Sequence, residues 1–102
     1  MVAAKPMTLP WPGHKEAAVS LTFDDGMASQ LAIAVPMLEA HDLRGTFYID
    51  AGDNYVEKLT PWIDAAAAGH EIGNHTAWHP CSENFAFVRA DGRRTLEAVS
   101  YT

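Results

Sequence analysis

The feature that most constrains the fold is an apolar run that ends at two adjacent carboxylates and a glycine. Residues 17–23 are mostly apolar, and Asp24, Asp25 and Gly26 follow them directly. This pattern is typical of a buried parallel strand that ends in a loop at its carboxyl edge, where α/β proteins place their functional groups. Successive strand residues point to opposite faces, so the two carboxylates can serve one site only if the chain turns there. Gly26 permits that turn.

The segments that follow alternate between helical and strand patterns. Residues 27–40 carry apolar side chains at helical spacing but include Pro36, so we expect a helix that is kinked at the proline or preceded by a separate turn. β-branched and aromatic residues predict a second strand at 46–49. Residues 60–69 begin with threonine as N-cap and proline at the first helical position and end with a capping glycine, which predicts a second helix. A third strand is predicted at 70–74.

The order of these elements predicts the fold class and the domain organisation. Strand, helix, strand, helix, strand implies an α/β fold with parallel strands and right-handed crossovers. We interpret residues 1–16, which are rich in proline, as an irregular lead-in to one domain over 17–102. The polar loop at 50–54 is expected at the carboxyl edge of the second strand, where it would line the site. A loop is predicted at 84–92, and the start of a third helix at 93–99.

The charge balance limits the classes of partner. Lysine and arginine number 7 against 13 for aspartate and glutamate, which gives a net charge of −6 and no basic surface for nucleic acid or an anionic membrane. No apolar run approaches the roughly 20 residues of a membrane span, and residues 1–18 lack the apolar core of a signal peptide. As written, the chain is expected to be soluble and cytoplasmic, with a secreted parent protein as the alternative if a leader has been removed. The single cysteine, Cys81, excludes an internal disulfide.

A pair of histidines supplies a second candidate element. His75 and His79 follow the third predicted strand, and a helical turn or tight loop between them would direct both imidazoles at one centre. Because the strands end at the same edge of the sheet, these imidazoles and the carboxylates at 24–25 are expected to meet. Carboxylate and imidazole are complementary ligands for a divalent metal. Non-haem iron oxygenases use the same ligand types, but usually on β-rich folds, unlike this alternating chain.

Two motifs resemble those of a known family. Residues 22–26 (Thr-Phe-Asp-Asp-Gly) and residues 75–80 (His-Thr-Ala-Trp-His-Pro) are similar to the first and second motifs of the polysaccharide deacetylases, the NodB-homology domain of carbohydrate esterase family four. The stretches at 45–49 and 69–74 also resemble the family. The resemblance covers about residues 18–80. It implies a distorted (β/α) barrel, of which this chain would carry the first half.

The resemblance also implies an activity and a role for each site residue. The family removes acetyl groups from N-acetylated sugars or polysaccharides with a divalent metal, usually Zn²⁺, although Co²⁺, Ni²⁺ and Mn²⁺ suit the same ligands. Asp25, His75 and His79 would hold the metal and leave positions open for water and substrate. Asp24 would act as the general base. Thr76 would support the histidine loop through its hydroxyl.

The chain departs from the family pattern after Pro80. The family's later motifs supply an arginine that orients the base, an aromatic and proline-rich loop, and a histidine that acts as general acid, and none of these is recognisable here. No histidine follows His79. An alternative hypothesis is therefore a metal-binding fragment without turnover of its own, and pairing of two copies into a homo-oligomer is a further one. The sequence does not distinguish among chitin, peptidoglycan, acetylated xylan and a smaller amide as the substrate.

Three residues near the motifs also have structural interpretations. Cys81 is expected to be a small buried side chain rather than a further metal ligand, because a thiolate would compete with the water that a hydrolase needs. His70 is expected to be a hydrogen-bonded structural residue. Trp78 suits either a sugar subsite or packing against the sheet edge.

Overall fold

Three short strands form a parallel sheet in the order β1, β2, β3 in this computed structural model, which describes residues 10–82 and 84–95. Phe23 of β1 pairs with Phe47 of β2, and Phe47 pairs in turn with Ile72 of β3. The predicted α/β fold with parallel strands is confirmed, whereas the described residues do not close a barrel. The strands are β1 (Thr22–Asp24), β2 (Thr46–Ile49) and β3 (Glu71–Asn74).

The first strand is shorter than the sequence predicts. A strand was expected over residues 17–23, but β1 begins at Thr22, and Val19 is 84% exposed. The reason is the length of its partner, because β2 begins at Thr46, whose amide donates to the carbonyl of Leu21 at 2.9 Å. Residues before Leu21 therefore have no partner on β2, and an apolar run alone does not make them a strand.

The helical segment after β1 contains the irregularity that Pro36 predicts. A π-helical turn at Gln30–Ala34 leads into helix α1, Val35–Ala40, and the proline lies in the first turn of α1. Proline has no amide hydrogen, and the first turn of an α-helix is where that donor is not needed. No separate turn precedes the proline, because Ala34 and Val35 both have right-handed helical φ and ψ, and the irregularity is the π-helical turn itself.

The second helical region begins earlier than predicted. Thr60 was expected to be an N-cap, but it lies inside the region, where its hydroxyl donates to the carbonyl of Val56. Pro61 is accommodated because the chain tightens there into a 3₁₀ turn. The predicted end is confirmed, since Gly69 has φ +102° and its amide donates to Ala66 O at 3.0 Å. The region comprises helix α2 (Tyr55–Leu59), the 3₁₀ turn Thr60–Trp62 and helix α3 (Ile63–Ala67).

The segment after β3 also differs from expectation. Residues 84–92 were predicted to be a loop, but they contain helix α4, Ala86–Ala90, which is anchored by the fully buried Val88. A 3₁₀ turn, Gly92–Arg94, follows where the third helix was predicted to start. The rest of that predicted helix, from residue 96, lies outside the described residues.

The core lies between the sheet and the helices. Phe47 is central, with its ring centroid 4.8 Å from that of Phe23 and 4.9 Å from that of Trp62. The buried cluster consists of Val35, Leu38, Phe47, Ile49, Trp62 and Ala65. By strand alternation the opposite face carries Thr22, Asp24, Thr46, Tyr48 and Glu71.

That opposite face is polar, and α1, α2 and α3 pack against the core on the other side of the sheet. Thr46 and Glu71 are neighbours on it, with the threonine hydroxyl donating to Glu71 Oε2 at 3.0 Å. None of the described helices is long and apolar enough to cross a membrane.

Candidate metal centre

Asp25 leaves the strand direction through a left-handed turn. Its φ is +76° and that of Gly26 is +58°, so the backbone reverses directly after β1. Aspartate tolerates this region better than most residues. At Gly26 a β-carbon would also lie 2.8 Å from Ile49 Cγ2, so glycine is required for space as well as for conformation. The turn predicted at this glycine is therefore present, and it separates the directions of Asp24 and Asp25.

The histidine loop is folded by its own side chains. Thr76 and His79 have φ values of +67° and +51°, which is unusual for any non-glycine residue and above all for a β-branched one. Asn74 Oδ1 accepts a hydrogen bond from Thr76 N at 2.7 Å, and Thr76 Oγ1 accepts one from His79 N at 2.9 Å. These bonds hold the loop in a tight turn. Backbone strain of this kind concentrates at functional sites.

The turn and the loop bring three of the predicted site residues together. Nε2 of His75 and Nε2 of His79 each lie 3.1 Å from Asp25 Oδ1. The candidate ligand atoms all lie within 4.8 Å of one another, and the two imidazole centroids are 5.0 Å apart. The side chains of His75 and His79 are each about one-third exposed, so a small ligand can reach them.

The contacts of Asp25 Oδ1 test whether these residues fit a metal. The oxygen is enclosed and has no hydrogen-bond partner, although the Nε2 atoms of His75 and His79 each lie 3.1 Å away. A buried carboxylate oxygen without a partner is costly. A divalent cation among the three side chains would satisfy it, and one carboxylate with two imidazoles is a donor set that zinc accepts. The arrangement therefore fits a metal ligand set.

Asp24 lies beside this cluster without joining it. It is exposed at the end of β1, on the face opposite Phe23, and its carbonyl accepts a hydrogen bond from Gln30 Nε2. None of the described contacts joins its carboxylate to Asp25, His75 or His79.

The cluster opens into a pocket of about 360 Å³. Its lining includes residues that the sequence motifs do not identify. One of them is Asp50, which directly follows β2 and forms an ion pair with Lys58. The position of Asp50 could be anticipated, because it belongs to the polar loop expected at this edge of the sheet. Phe87 and Arg94 come from the region after β3 and carry no local signal. The lining residues are Asp25, Met27, Asp50, His79, Phe87 and Arg94.

His70 and Cys81 lie outside the cluster. His70 is 4% exposed, and its Nδ1 accepts a hydrogen bond from Gly45 N at 3.1 Å. Its Nε2 must then carry the hydrogen, which it donates to Glu39 Oε1 at 3.1 Å. The structural interpretation of His70 is thus confirmed. Cys81 is half-buried and does not belong to the candidate ligand group.

Two charged side chains near the site, Asp91 and Arg93, have shifted pKa values. Hydrogen bonds from the Arg93 side chain and backbone hold the pKa of Asp91 below its ordinary value of 3.8. Hydrogen bonds to Asp91 and Asp53 raise the pKa of Arg93. Arg93 is exposed and Asp91 is half-buried at the surface, so solvent screens the attraction between the two charges.

The fold and the cluster together define an α/β protein with a candidate metal centre at the carboxyl ends of its strands. The family model described as polysaccharide deacetylase matches residues 12–97, and the chain therefore belongs to that family. It is similar to a peptidoglycan-N-acetylglucosamine deacetylase of Bacillus cereus, with 37% identity over 83 residues. That alignment covers 79% of this chain and 28% of the relative, so the chain spans less than a third of the relative's length. No solved structure matches the chain.

Proposed function

We propose that this chain carries the metal-binding part of a hydrolase that removes acetyl groups from N-acetylated sugars or polysaccharides. Asp25, His75 and His79 are the proposed ligands of a divalent metal, with Zn²⁺ as the first candidate. The observation that carries the proposal is the enclosed Asp25 Oδ1, which faces two imidazole nitrogens at 3.1 Å without forming a hydrogen bond. Membership of the polysaccharide deacetylase family supports the reaction class.

The proposed mechanism assigns separate tasks to the two adjacent carboxylates. A bound divalent ion supplies Lewis acidity, which makes a nearby water more acidic and polarises a carbonyl oxygen. Asp24 is the proposed general base, which takes the proton of the attacking water on its carboxylate. Its exposure and its lack of described side-chain partners leave that carboxylate available. Asp25, committed as a ligand, would be a poor base, and the turn at Gly26 explains how neighbouring residues serve different tasks.

The pocket supports an acetamido group as the reacting part of the substrate. Met27 and Phe87 give it apolar walls that suit a methyl group, while Asp50 and Arg94 can hydrogen-bond to a sugar. The name of the Bacillus cereus relative specifies N-acetylglucosamine in peptidoglycan. We propose an N-acetylglucosamine polymer as the substrate class on that basis.

A second candidate is metal binding without turnover. It is favoured by the polar face of the sheet, on which Asp24 lies without a described residue that orients its carboxylate. A general acid–base step contributes about 10²–10⁴-fold to a rate, so an unoriented base would leave little activity.

Pairing of two copies through the polar face of the sheet would cover that face. Sedimentation of the chain as a monomer would contradict such a homo-oligomer.

Zinc titration of the chelator-treated chain tests the proposed centre. We expect one equivalent to bind to the wild type and none to bind tightly to Asp25→Ala. Asp64→Ala is the matched control, because Asp64 is an exposed carboxylate on α3 outside the cluster. Equal binding by wild type and Asp25→Ala would contradict the ligand assignment.

An acetate-release assay then separates the two candidate functions. The zinc-loaded chain is incubated with an N-acetylglucosamine oligomer, and acetate is measured against buffer containing zinc alone. Acetate above that background supports deacetylation. Tight zinc binding without acetate favours the metal-binding candidate.

A further inference from the structure

One arginine joins three separate segments next to the candidate metal centre. The guanidinium carbon of Arg93 lies 4.0 Å from the ring centroid of Trp78. Its Nη1 donates to Asp53 Oδ2 at 2.7 Å, and its Nε donates to Asp91 Oδ1 at 3.1 Å. We call Arg93, Trp78, Asp53 and Asp91 the arginine clasp.

The segments that the arginine clasp joins include the histidine loop itself. Trp78 directly precedes His79, Asp53 lies in the loop after β2, and Asp91 caps the 3₁₀ turn that contains Arg93. Trp78 also packs close to Gly52, where a β-carbon would lie 3.3 Å from Cζ3 of the indole. The indole is therefore held both by the loop after β2 and by the arginine.

The histidine loop needs such a restraint because of its backbone. Thr76 and His79 have positive φ values, which cost free energy and persist only where the surroundings determine them. Within the loop, Thr76 Oγ1 accepts from His79 N, but that bond is exposed. The contact between Trp78 and Arg93 ties the same loop to distant parts of the chain.

The charges of the arginine clasp are paired with one another, which favours a structural task over ligand binding. Arg93 is shared between Asp53 and Asp91, and its cationic group covers the Trp78 ring. Planar guanidinium groups suit simultaneous stacking and forked hydrogen bonding, which lysine does not reproduce. Of the two interpretations of Trp78, packing is the one that this contact supports.

We propose that Arg93 is a positioning residue that, through Trp78, holds the histidine loop in the conformation that brings His75 and His79 to Asp25. The inference rests on the metal centre proposed above. It extends that centre to a residue in the 3₁₀ turn after α4, beyond the motifs that suggest the site.

Zinc affinity and loop exchange together test the arginine clasp. Arg93→Gln is expected to weaken zinc binding about 3–10-fold, measured by competition with a chromophoric chelator, which corresponds to one lost cation–π contact and its ion pairs. Amide hydrogen exchange of His79 in the metal-free chain should accelerate by a similar factor. Arg93→Lys should recover only part of both effects, because it keeps the charge and loses the stacking.

A double-substitution cycle identifies the contact. If Arg93 acts through Trp78, Arg93→Gln should have little further effect on zinc affinity in a Trp78→Leu background. Arg89→Gln is the control, because Arg89 Nη1 donates to Asn84 O within its own segment. Urea unfolding of each variant verifies that the fold persists.

The outcomes distinguish this inference from the proposed function. Unchanged zinc affinity and unchanged His79 exchange in Arg93→Gln would overturn the role of Arg93. A wild-type chain that binds no zinc would refute the metal centre, and the exchange of His79 in the metal-free chain would still decide for or against the arginine clasp.

Discussion

The carboxylate of Asp25 and the imidazole of His79 meet across the end of the sheet. Asp25 follows β1 and His79 lies in the loop after β3, with β2 between these two strands, yet Oδ1 and Nε2 are 3.1 Å apart. Neighbouring strands are about 4.8 Å apart, so the two side chains must reach over the end of β2. The left-handed turns at both residues make this approach achievable. The candidate centre therefore depends on two unusual backbone conformations.

The first prediction concerns the turn at Gly26. Gly26→Ala places a methyl group 2.8 Å from Ile49 Cγ2 in a backbone with φ +58°. We expect the free energy of unfolding to fall by about 2–4 kcal/mol, because conformational strain and a core clash add. Urea denaturation followed by circular dichroism measures the change.

Alanine substitutions at two other glycines distinguish the conformational strain from the core clash. Gly13 has φ +69° with no atom within 4 Å of a built β-carbon, so Gly13→Ala isolates the conformational strain. Gly92 has neither a positive φ nor a close neighbour, and Gly92→Ala should be nearly neutral. Equal unfolding free energies for the three alanine variants would show that Gly26 is not a special position.

The second prediction concerns the buried imidazole of His70. His70→Ala leaves the Gly45 amide without its acceptor, because Nδ1 takes that hydrogen bond in the folded chain. An unsatisfied buried donor costs about 1–3 kcal/mol, and loss of the ring's edge contact with Phe47 adds to it. Urea unfolding of His70→Ala and of His41→Ala, an exposed histidine, provides the comparison. A loss no larger than that of the control would contradict the structural role.

The sequence predicts the parts of this molecule that rest on local rules. The strand at 46–49, the capping Gly69 and the turn at Gly26 follow from residue chemistry at single positions. The approach of Asp25 to the two histidines follows from the rule that parallel strands end at one edge. These predictions use no information about distant contacts.

The errors arise where distant contacts decide the structure. The first strand was predicted too long because its length depends on where β2 begins, at Thr46. Thr60 has the signature of an N-cap, but α2 precedes it and continues into it. Helix α4 is anchored by the buried Val88, and Arg93 reaches Trp78 only in the folded chain. No local pattern distinguishes these positions.

The third prediction concerns the acid stability of the arginine clasp. The pKa of Asp91 is lowered in the folded chain by hydrogen bonds from Arg93, so its stabilising contribution is present above the ordinary value of 3.8. That contribution is lost as the pH falls through the lower folded pKa, because the protonated carboxyl no longer pairs with the guanidinium. The free energy of unfolding of wild type should therefore exceed that of Asp91→Asn by less and less as the pH falls below 3.8.

Urea unfolding of wild type and Asp91→Asn at a series of pH values measures this advantage. The difference in unfolding free energy should stay constant above pH 3.8 and shrink below it. Asp64→Asn, a change of an exposed helical carboxylate, controls for loss of negative charge in general. A difference between wild type and Asp91→Asn that does not change with pH would contradict the assigned pairing.

The last prediction separates the two adjacent carboxylates. Asp24→Asn removes the proposed base but none of the proposed ligands, so zinc affinity should stay within about 2-fold of wild type while acetate release falls about 10²–10⁴-fold. Asp42→Asn is the matched control, since Asp42 is exposed and its left-handed φ of +55° suits asparagine equally. Loss of zinc binding in Asp24→Asn would instead make Asp24 a ligand, and acetate release equal to wild type would remove it from the chemistry. In Asp25→Asn, by contrast, we expect zinc binding itself to be lost, and acetate release to fall as a consequence. The two neighbours differ because the turn at Gly26 places their carboxylates in different environments.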